Sequence, residues 1–534
     1  VSARESVSNE NMITYYINDG LTKDPKYKYK DMKYIILDER VAIDIKFKEI
    51  LSKYFVRDQF LHMRLFEDYC KSDVRILANG LNKFRSIMIE IFNKDPFNCL
   101  TISTYVHNAL CDTGIYDETY TVCGQLQDFI SKAAMGGRVA LRDNKPQHHK
   151  GRIEDFDGVS LYPSAFYRLL KEYGLPKGKC DSLGEIPENN YYVAEIEILG
   201  DCQIKHQIPM CSFLDEKNNK RVYTNNTKGR KVIIDKLTLE DWVKYQKFNY
   251  RVIRGVEWRS GYTDGTKGAQ FILDLFNARL KAKEQKNEAL QQMLKLCLNS
   301  LYGKTLIKRS DSTTKIGLTK DYLKYMQKNF GKIKSFEIQG KHIFYKCYNK
   351  YLEHINTVQI GCSILSMSKR IMNEVFDCIR KENIGLLYTD TDSMHIVNDD
   401  GKQIDKLAEC FRKKYNRGLI GKNLGQFHCD FQLDDCCNVH STEFIGLGKK
   451  AYMDVLTGKN YKTNDINTGE HIRLKGVNNA ALSEYDDKHK MFKDLYDGKT
   501  LPFNLLHNDG VSFDIKQGRV CNREKMIRNI SFKV

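Results

Sequence analysis

The chain has 534 residues, more than one hydrophobic core usually organises, so several subdomains are expected. Apolar residues make up 41% and charged residues 29%, a globular composition, and no apolar run approaches the ~18 residues that would cross a bilayer, so no membrane partner is expected. The net charge of +17 attracts polyanions and makes nucleic acid the first candidate partner, although a Lys-rich genome would leave the same mark.

In chain order, the opening VSARESVSNENM is polar and begins with Val, which is no signal peptide and suggests a cleaved product or a piece of something longer. Residues 60 to 94 carry helical periodicity through Leu61, Leu65, Tyr69, Val74, Leu77 and Leu81. From 190 to 256 the pattern is strand-like, with YYVAEIEIL, KVIID and YRVIRGVEW separated by polar turns. Two helices follow, around 268–283 and 288–301, with charged KEQKN between them, a helical hairpin projecting from the body. IGLLYTDTDSMHIV at 384–397 reads as two short apolar strands flanking a polar tip, and the last 80 residues as short helices and turns. The sixteen Cys include no CxxC pair, so free thiols in a reducing compartment are expected. His428, Cys429, Cys436 and Cys437 are the densest set, but adjacent Cys pairs suit a tetrahedral zinc site poorly.

Three motifs carry chemistry. In DFDGVSLYPS, a strand-like approach ends at Asp157, and Pro163 stops the strand and can open a helix. A carboxylate at a strand end is a natural hard-metal ligand, though an Asp before a turn is usually a turn former. In YTDTDS, alternate residues of an extended chain face one side, so Asp390 and Asp392 can point together and call for a cation. In KLCLNSLYGK, Lys295, Asn299 and Tyr302 share one helix face at i, i+4 and i+7, which fits a wall gripping a phosphate and stacking on a base. Phosphoryl transfer depends on positioning and charge neutralisation, and two metals held by Asp157, Asp390 and Asp392, with Lys295 on the triphosphate, would supply both.

These motifs, DxxSLYPS, KxxxNSxYG and YxDTDS, stand complete and in order, and the chain resembles the family B DNA polymerases. The resemblance implies an α+β multidomain right-hand polymerase of palm, fingers and thumb, with a partial exonuclease-like (RNase H-like) domain at the N-terminus. It implies Asp157, Asp390 and Asp392 as catalytic ligands of two Mg²⁺ ions, with Mn²⁺ able to substitute, and primer-template DNA and dNTPs as partners. Lys295 and Asn299 would face the nucleotide from the fingers, Tyr162 would be the steric gate, and Ser160, Tyr302 and Gly303 would sit near the template base and the nascent pair. Lys450 and Tyr452 in GKKAY resemble the KxY primer-strand motif, 58 residues beyond Asp392. Lys283 resembles a second phosphate-binding Lys, with Arg279 one turn earlier. Gly136 and Gly137 in MGGRV resemble the template-contacting glycine motif, with Ala134 in place of the family's aromatic residue.

Within the family the protein-primed viral, linear-plasmid and Polinton-like branch fits best, which implies a terminal-protein primer. The room between motifs suits insertions at 171–255 and 306–355. The expected division is therefore 1–130 exonuclease-like, 131–170 palm, 171–255 insertion, 256–305 fingers, 306–355 second insertion, 356–445 palm and 446–534 thumb. Tyr69 and Asp73 resemble the last exonuclease motif, YxxxD, while its two preceding motifs are missing from residues 1–68. One carboxylate cannot hold two metals, so little proofreading is expected. The main alternative is an inactive polymerase-like scaffold that binds DNA without catalysis. No address signal is legible, so host cytoplasm, nucleus and mitochondrion all stay open.

Overall fold

The computed structural model describes residues 62–215, 220–307, 312–348, 357–505, 511–514, 519–522 and 526–532, together with five short strands before residue 61. It falls into two compact units, Val1–Asn98 and Cys99–Val534.

In the first unit, Met12–Asn18 pairs antiparallel with both Gly20–Lys23 and Tyr34–Asp38. Helix α1 (His62–Phe92) follows, as the periodicity expects. Arg85 Nε donates to Asp95 at 3.0 Å, tying its last turns to the segment beyond, where Asp95 accepts from the Phe97 N–H. Tyr69 and Asp73 stand exposed on α1. Residues 1–68, from which the two earlier exonuclease motifs are missing, lie outside the described side chains.

The second unit is built on one sheet. Its strands begin with β1 (Val139–Leu141) and β2 (Gln147–Gly158), followed by helix α2 (Leu161–Glu172). A second, four-stranded sheet contains β3 (Tyr191–Ile198), β4 (Lys231–Asp235) and, after helix α3 (Lys236–Gln246), β5 (Tyr250–Trp258). The hairpin α4 (Thr266–Glu284) and α5 (Glu288–Ser300) comes next, its second arm capped by Asn287, whose side chain accepts from the Leu290 N–H. A three-stranded sheet with one helix occupies 312–348. Helix α6 (Val358–Lys381) then leads into β6 (Leu386–Asp390) and β7 (Ser393–Val397). The main sheet is completed by β8 (Phe427–Cys429), β9 (Cys436–Gly448), β10 (Ala451–Asn460) and β11 (Ile466–Leu474). Its order is β11-β10-β9-β2-β7-β6-β1, with β8 also paired to β2.

Strand alternation gives β9 and β10 two apolar faces. Phe444 and Tyr452 join Leu141, Ile153, Leu387 and Tyr388 on one side, while Ile445 and Met453 pack on the other against Phe492 and Leu495 of a helix at 488–496. Helix α6 is buried almost all round, so its polar residues must be satisfied inside. Arg370 Nε donates to Asp241 at 2.8 Å, Arg168 grips Glu374 through both terminal nitrogens at 2.7 and 2.8 Å, and Arg138 donates to Asn373 at 2.6 Å.

Ile130 and Ala133, on either side of the expected boundary at 130, share one core with Tyr191, Trp258 and Val358, and β10, beyond the expected boundary at 446, pairs with β9 and with β11 through Leu474. Two expectations need correction. The segment between KVIID and YRVIRGVEW is no turn but α3. Its polar residues Thr238 and Asp241 are buried against α6, which hides the helical stripe from the sequence. The last 80 residues contain two long strands as well as helices, β10 from Ala451 and β11, whose NTGEHIRL pairs residue for residue with β10.

Candidate active site

Asp157 ends β2 between two neighbours, opposite Ser393 on β7 and His428 on β8. The chain leaves it through Gly158, whose N–H donates to the Asp392 carbonyl at 2.8 Å. A Cβ there would lie 3.2 Å from the Phe427 ring and 3.3 Å from that carbonyl oxygen, so glycine permits the close approach. Ser160 then takes a left-handed φ of 49° to open α2, and Arg279 Nη1 donates to its Oγ at 2.8 Å.

The β6–β7 tip departs from the expected alternation. Asp390 pairs with Ser393, and Thr391 is left-handed at φ 68°, so Asp390 and Asp392 flank a tight turn rather than lying along one extended strand. The Asp392 N–H donates to the Asp390 carbonyl at 2.8 Å and the Thr391 N–H to Arg138 O at 2.7 Å. Asp392 faces the cleft that holds Asp157, whereas Asp390 is turned to Lys450, with Nζ at 2.7 and 2.8 Å from its two oxygens. Tyr388 Oη donates to Asp390 at 3.2 Å and accepts from the Lys450 N–H at 3.1 Å.

The cleft has a volume of about 710 Å³. Asp157, Asp392 and Asp430 supply its acidic floor, and Arg279, Lys283, Lys295 and Asn299 of the helical hairpin form the opposite wall, with Lys422 at the rim. Tyr162 and Tyr302 stack across it with ring centroids 4.6 Å apart and planes 24° from parallel. Burial, with Asp392 and Asp430 adding to it, pushes the Asp157 carboxyl up to about 8 against the opposing pull of Lys295. Burial likewise raises Asp392, with Asp390 and Asp430 adding and Lys450 opposing. Crowded carboxylates that resist ionisation in this way are hard oxygen donors short of positive charge, so the residues fit a divalent cation. Among the described residues no three acidic, His or Cys side chains converge closely enough to grip an ion as they stand.

The structure thus gathers Asp157, Asp392, Ser160, Tyr162, Lys283, Lys295, Asn299 and Tyr302 around one cleft. Asp390 and Lys450 sit beside it as an ion pair. Tyr452 is buried in an aromatic cluster, its ring 4.8 Å from that of Tyr388, so of the KxY pair Lys450 alone reaches solvent. Gly137 packs against Thr391, and Gly136 and Gly303 have open space where a Cβ would be. Tyr69 and Asp73 belong to the other compact unit. Nothing in the sequence singles out Asp430, and His428 stands there only as a poor zinc candidate. Both line the cleft, and Cys429 and Cys437 turn to the carbonyls of Val439 and Lys459. Only the pairing of β8 beside Asp157 reveals them.

Among known proteins the chain is similar to a DNA polymerase of Kluyveromyces lactis, 22% identical over 423 residues that make up 73% of this chain and 37% of that one. It is also similar to the DNA polymerases of Streptococcus phage Cp-1, at 22% identity over 44% of this chain and 42% of that one, and of Bacillus phage Nf, at 25% over 48% and 43%. The chain therefore spans less than half the length of these relatives. In fold it resembles phi29 DNA polymerase complexed with primer-template DNA and incoming nucleotide substrates, with a TM-score of 0.60 and 16% identity over 99% of this chain and 88% of that one. Residues 5–382 match the family described as DNA polymerase type B, organellar and viral, and the chain belongs to that family.

Proposed function

We propose that the chain is a DNA-directed DNA polymerase that extends a primer by nucleotidyl transfer in a replicating viral or mobile element. The observation that carries this reading is the single cleft in which Asp157 and Asp392 face Lys295, Asn299 and the Tyr162–Tyr302 stack. Asp157, Asp392 and the newly placed Asp430 would hold the Mg²⁺ ions, for which Mn²⁺ can substitute. Bound there, divalent cations would polarise the phosphoryl group and favour ionisation of the attacking hydroxyl. Lys295, with Lys283 and Arg279 beside it, neutralises the triphosphate, and Asn299 orients it. The Tyr162 ring occupies the site of the sugar, so that a 2′-hydroxyl is excluded and DNA is the product. Lys450 would meet the primer strand, with its charge held by Asp390.

Two structural insertions support protein priming as the finer reading. The four-stranded sheet with α3 lies between the first motif and the helical hairpin, and the sheet at 312–348 lies between that hairpin and the second carboxylate motif. A terminal protein is the partner proposed for them.

Primer extension on a primed single-stranded template with Mg²⁺ and dNTPs tests the reading, run beside Asp157→Asn and Asp392→Asn. Template-directed extension lost in both variants supports it. DNA binding without extension, equal in all three proteins, would leave the inactive scaffold instead.

A further inference from the structure

His395 lies on β7, three residues after Asp392, and has no solvent exposure. Its Nε2 donates to Asp454 Oδ2 on β10 at 3.0 Å. Its Nδ1 stands 3.4 Å from Asp155 Oδ1 on β2, an ion-pair distance without hydrogen-bond geometry. Asp454 is fully buried and Asp155 nearly so. Around this trio the rings of Tyr388, Phe431, Phe444 and Tyr452 close within 5.1 to 5.7 Å of the imidazole and enclose it.

The placement of these partners is informative. In the sheet order, β7 and β10 are separated by β2 and β9. Adjacent strands are ~4.8 Å apart, so in a flat sheet these two would stand roughly 14 Å apart. Side chains on them touch because the sheet is curled, and β9 carries three register shifts against β10, at Cys437/His440, Ser441/Glu443 and Gly446/Gly448, that bend it. Main-chain hydrogen bonds fix each strand to its neighbour, but they do not fix how tightly the sheet curls across three intervals. Bulges bend the strands, and contacts on the concave face hold the curl they allow. The curl matters because Lys450 enters β10 and must meet Asp390, at the end of β6.

We propose that His395 is a positioning residue whose two ring nitrogens, held by Asp155 and Asp454, pin the curl of the sheet and thereby set Lys450 against the catalytic turn. This rests on the polymerase reading above. The same two carboxylates overcome the effect of burial and lift the imidazole to about 9, which favours the protonated ring. Burying one cation between two anions leaves each dependent on the others, and the side chains touched by the ring are those that support Lys450: Tyr388 at its N–H and Tyr452 two residues on.

The test uses the full chain and compares wild type with His395→Leu, Asp454→Asn, Lys450→Ala and the double variants with Lys450→Ala. Hydrogen exchange of the metal-free protein is expected to speed up across residues 450–456 in His395→Leu and Asp454→Asn, with the α4–α5 hairpin unchanged. In primer extension each is expected to lose about tenfold in kcat while KM for dNTP stays within about twofold. Added to Lys450→Ala, neither should cost more than about a further twofold, because both act through that lysine. Unchanged exchange at 450–456, or losses that multiply in the double variants, would overturn the pin. Should His395→Leu not fold, Asp454→Asn carries the same comparisons. A wild-type chain that does not extend primers overturns the polymerase reading alone, and hydrogen exchange still decides the pin.

Discussion

Lys450 Nζ lies 2.7 and 2.8 Å from the two carboxylate oxygens of Asp390, so the first aspartate of YTDTDS is neutralised by a lysine sixty positions later rather than sharing the acidic floor with Asp392. The lysine side chain is 51% exposed, which limits the pair's contribution to stability to about 0–1 kcal/mol. Its use is to hold a charge in place. Asp390→Asn and Lys450→Ala are each expected to lower primer extension by about tenfold or more with little change in melting temperature. The double variant should lose no more than the worse single one. Losses that multiply would mean that the two residues act separately.

Asp430 shares the acidic floor with Asp157 and Asp392 and raises the proton affinity of both. Asp430→Asn is therefore expected to cost about ten- to a hundredfold in extension rate, and to raise the Mg²⁺ concentration needed for half-maximal rate. A Mg²⁺ titration of the variant beside wild type measures both. An unchanged Mg²⁺ requirement would place Asp430 outside the cation's reach.

The Asp157 carboxyl is held up at about 8 from an ordinary 3.8, by burial first and by Asp392 and Asp430 next. Between those values the folded chain keeps a proton that the unfolded chain has lost. The group's contribution to stability is therefore full below about pH 4 and is lost as pH climbs to about 8. Asparagine has no such proton. In EDTA, Asp157→Asn is expected to be more stable than wild type at about pH 8.5, by on the order of 1 kcal/mol after allowance for the solvent that reaches the group, with the gap closing toward about pH 4.5. Thermal melts across that range measure the gap, and the same variant should not extend primers.

Gly137 packs against the turn at Thr391. A methyl group added there would sit 2.4 Å from Thr391 Cγ2 and 2.8 Å from its Oγ1. Thr391 has little freedom to yield, since its N–H is bound to Arg138 O and its φ is left-handed. Gly137→Ala is expected to cost about 1–3 kcal/mol in urea unfolding and to lower extension, while Gly136→Ala, where a Cβ meets nothing within 4 Å, should do neither through packing.

Much of the site was legible because its residues are packed into short, specific runs. DFDGVSLYPS holds a strand end, its turn and the start of a helix, and YTDTDS a strand end and its turn, so local sequence already places Asp157 at a strand end and Asp392 in a turn. Lys295 and Asn299 share a helix face by spacing, while the helix ends at Ser300 and Tyr302 follows it. The reading failed where a neighbour, not the local chain, decides orientation. Thr391 in left-handed backbone turned Asp390 out of the alternation that an extended YTDTDS would have, and nothing in the motif says which carboxylate a distant lysine will take. Helix α3 is hidden from the sequence because its polar residues are buried against α6, and the strands β10 and β11 because their pairing is not written in composition.

The sequence by itself determined the family resemblance, Asp157 and Asp392 of the floor, the basic helical hairpin and the strand-rich pattern from 190 to 256, since each depends on residue identity and periodicity within a few turns of chain. The tertiary structure alone decided that Asp430 joins the floor, that Asp390 serves Lys450, and that His395 ties Asp155 to Asp454. Those relations run between strands far apart in sequence, and the curl of the sheet, set by bulges and packing on its concave face, brings their side chains together.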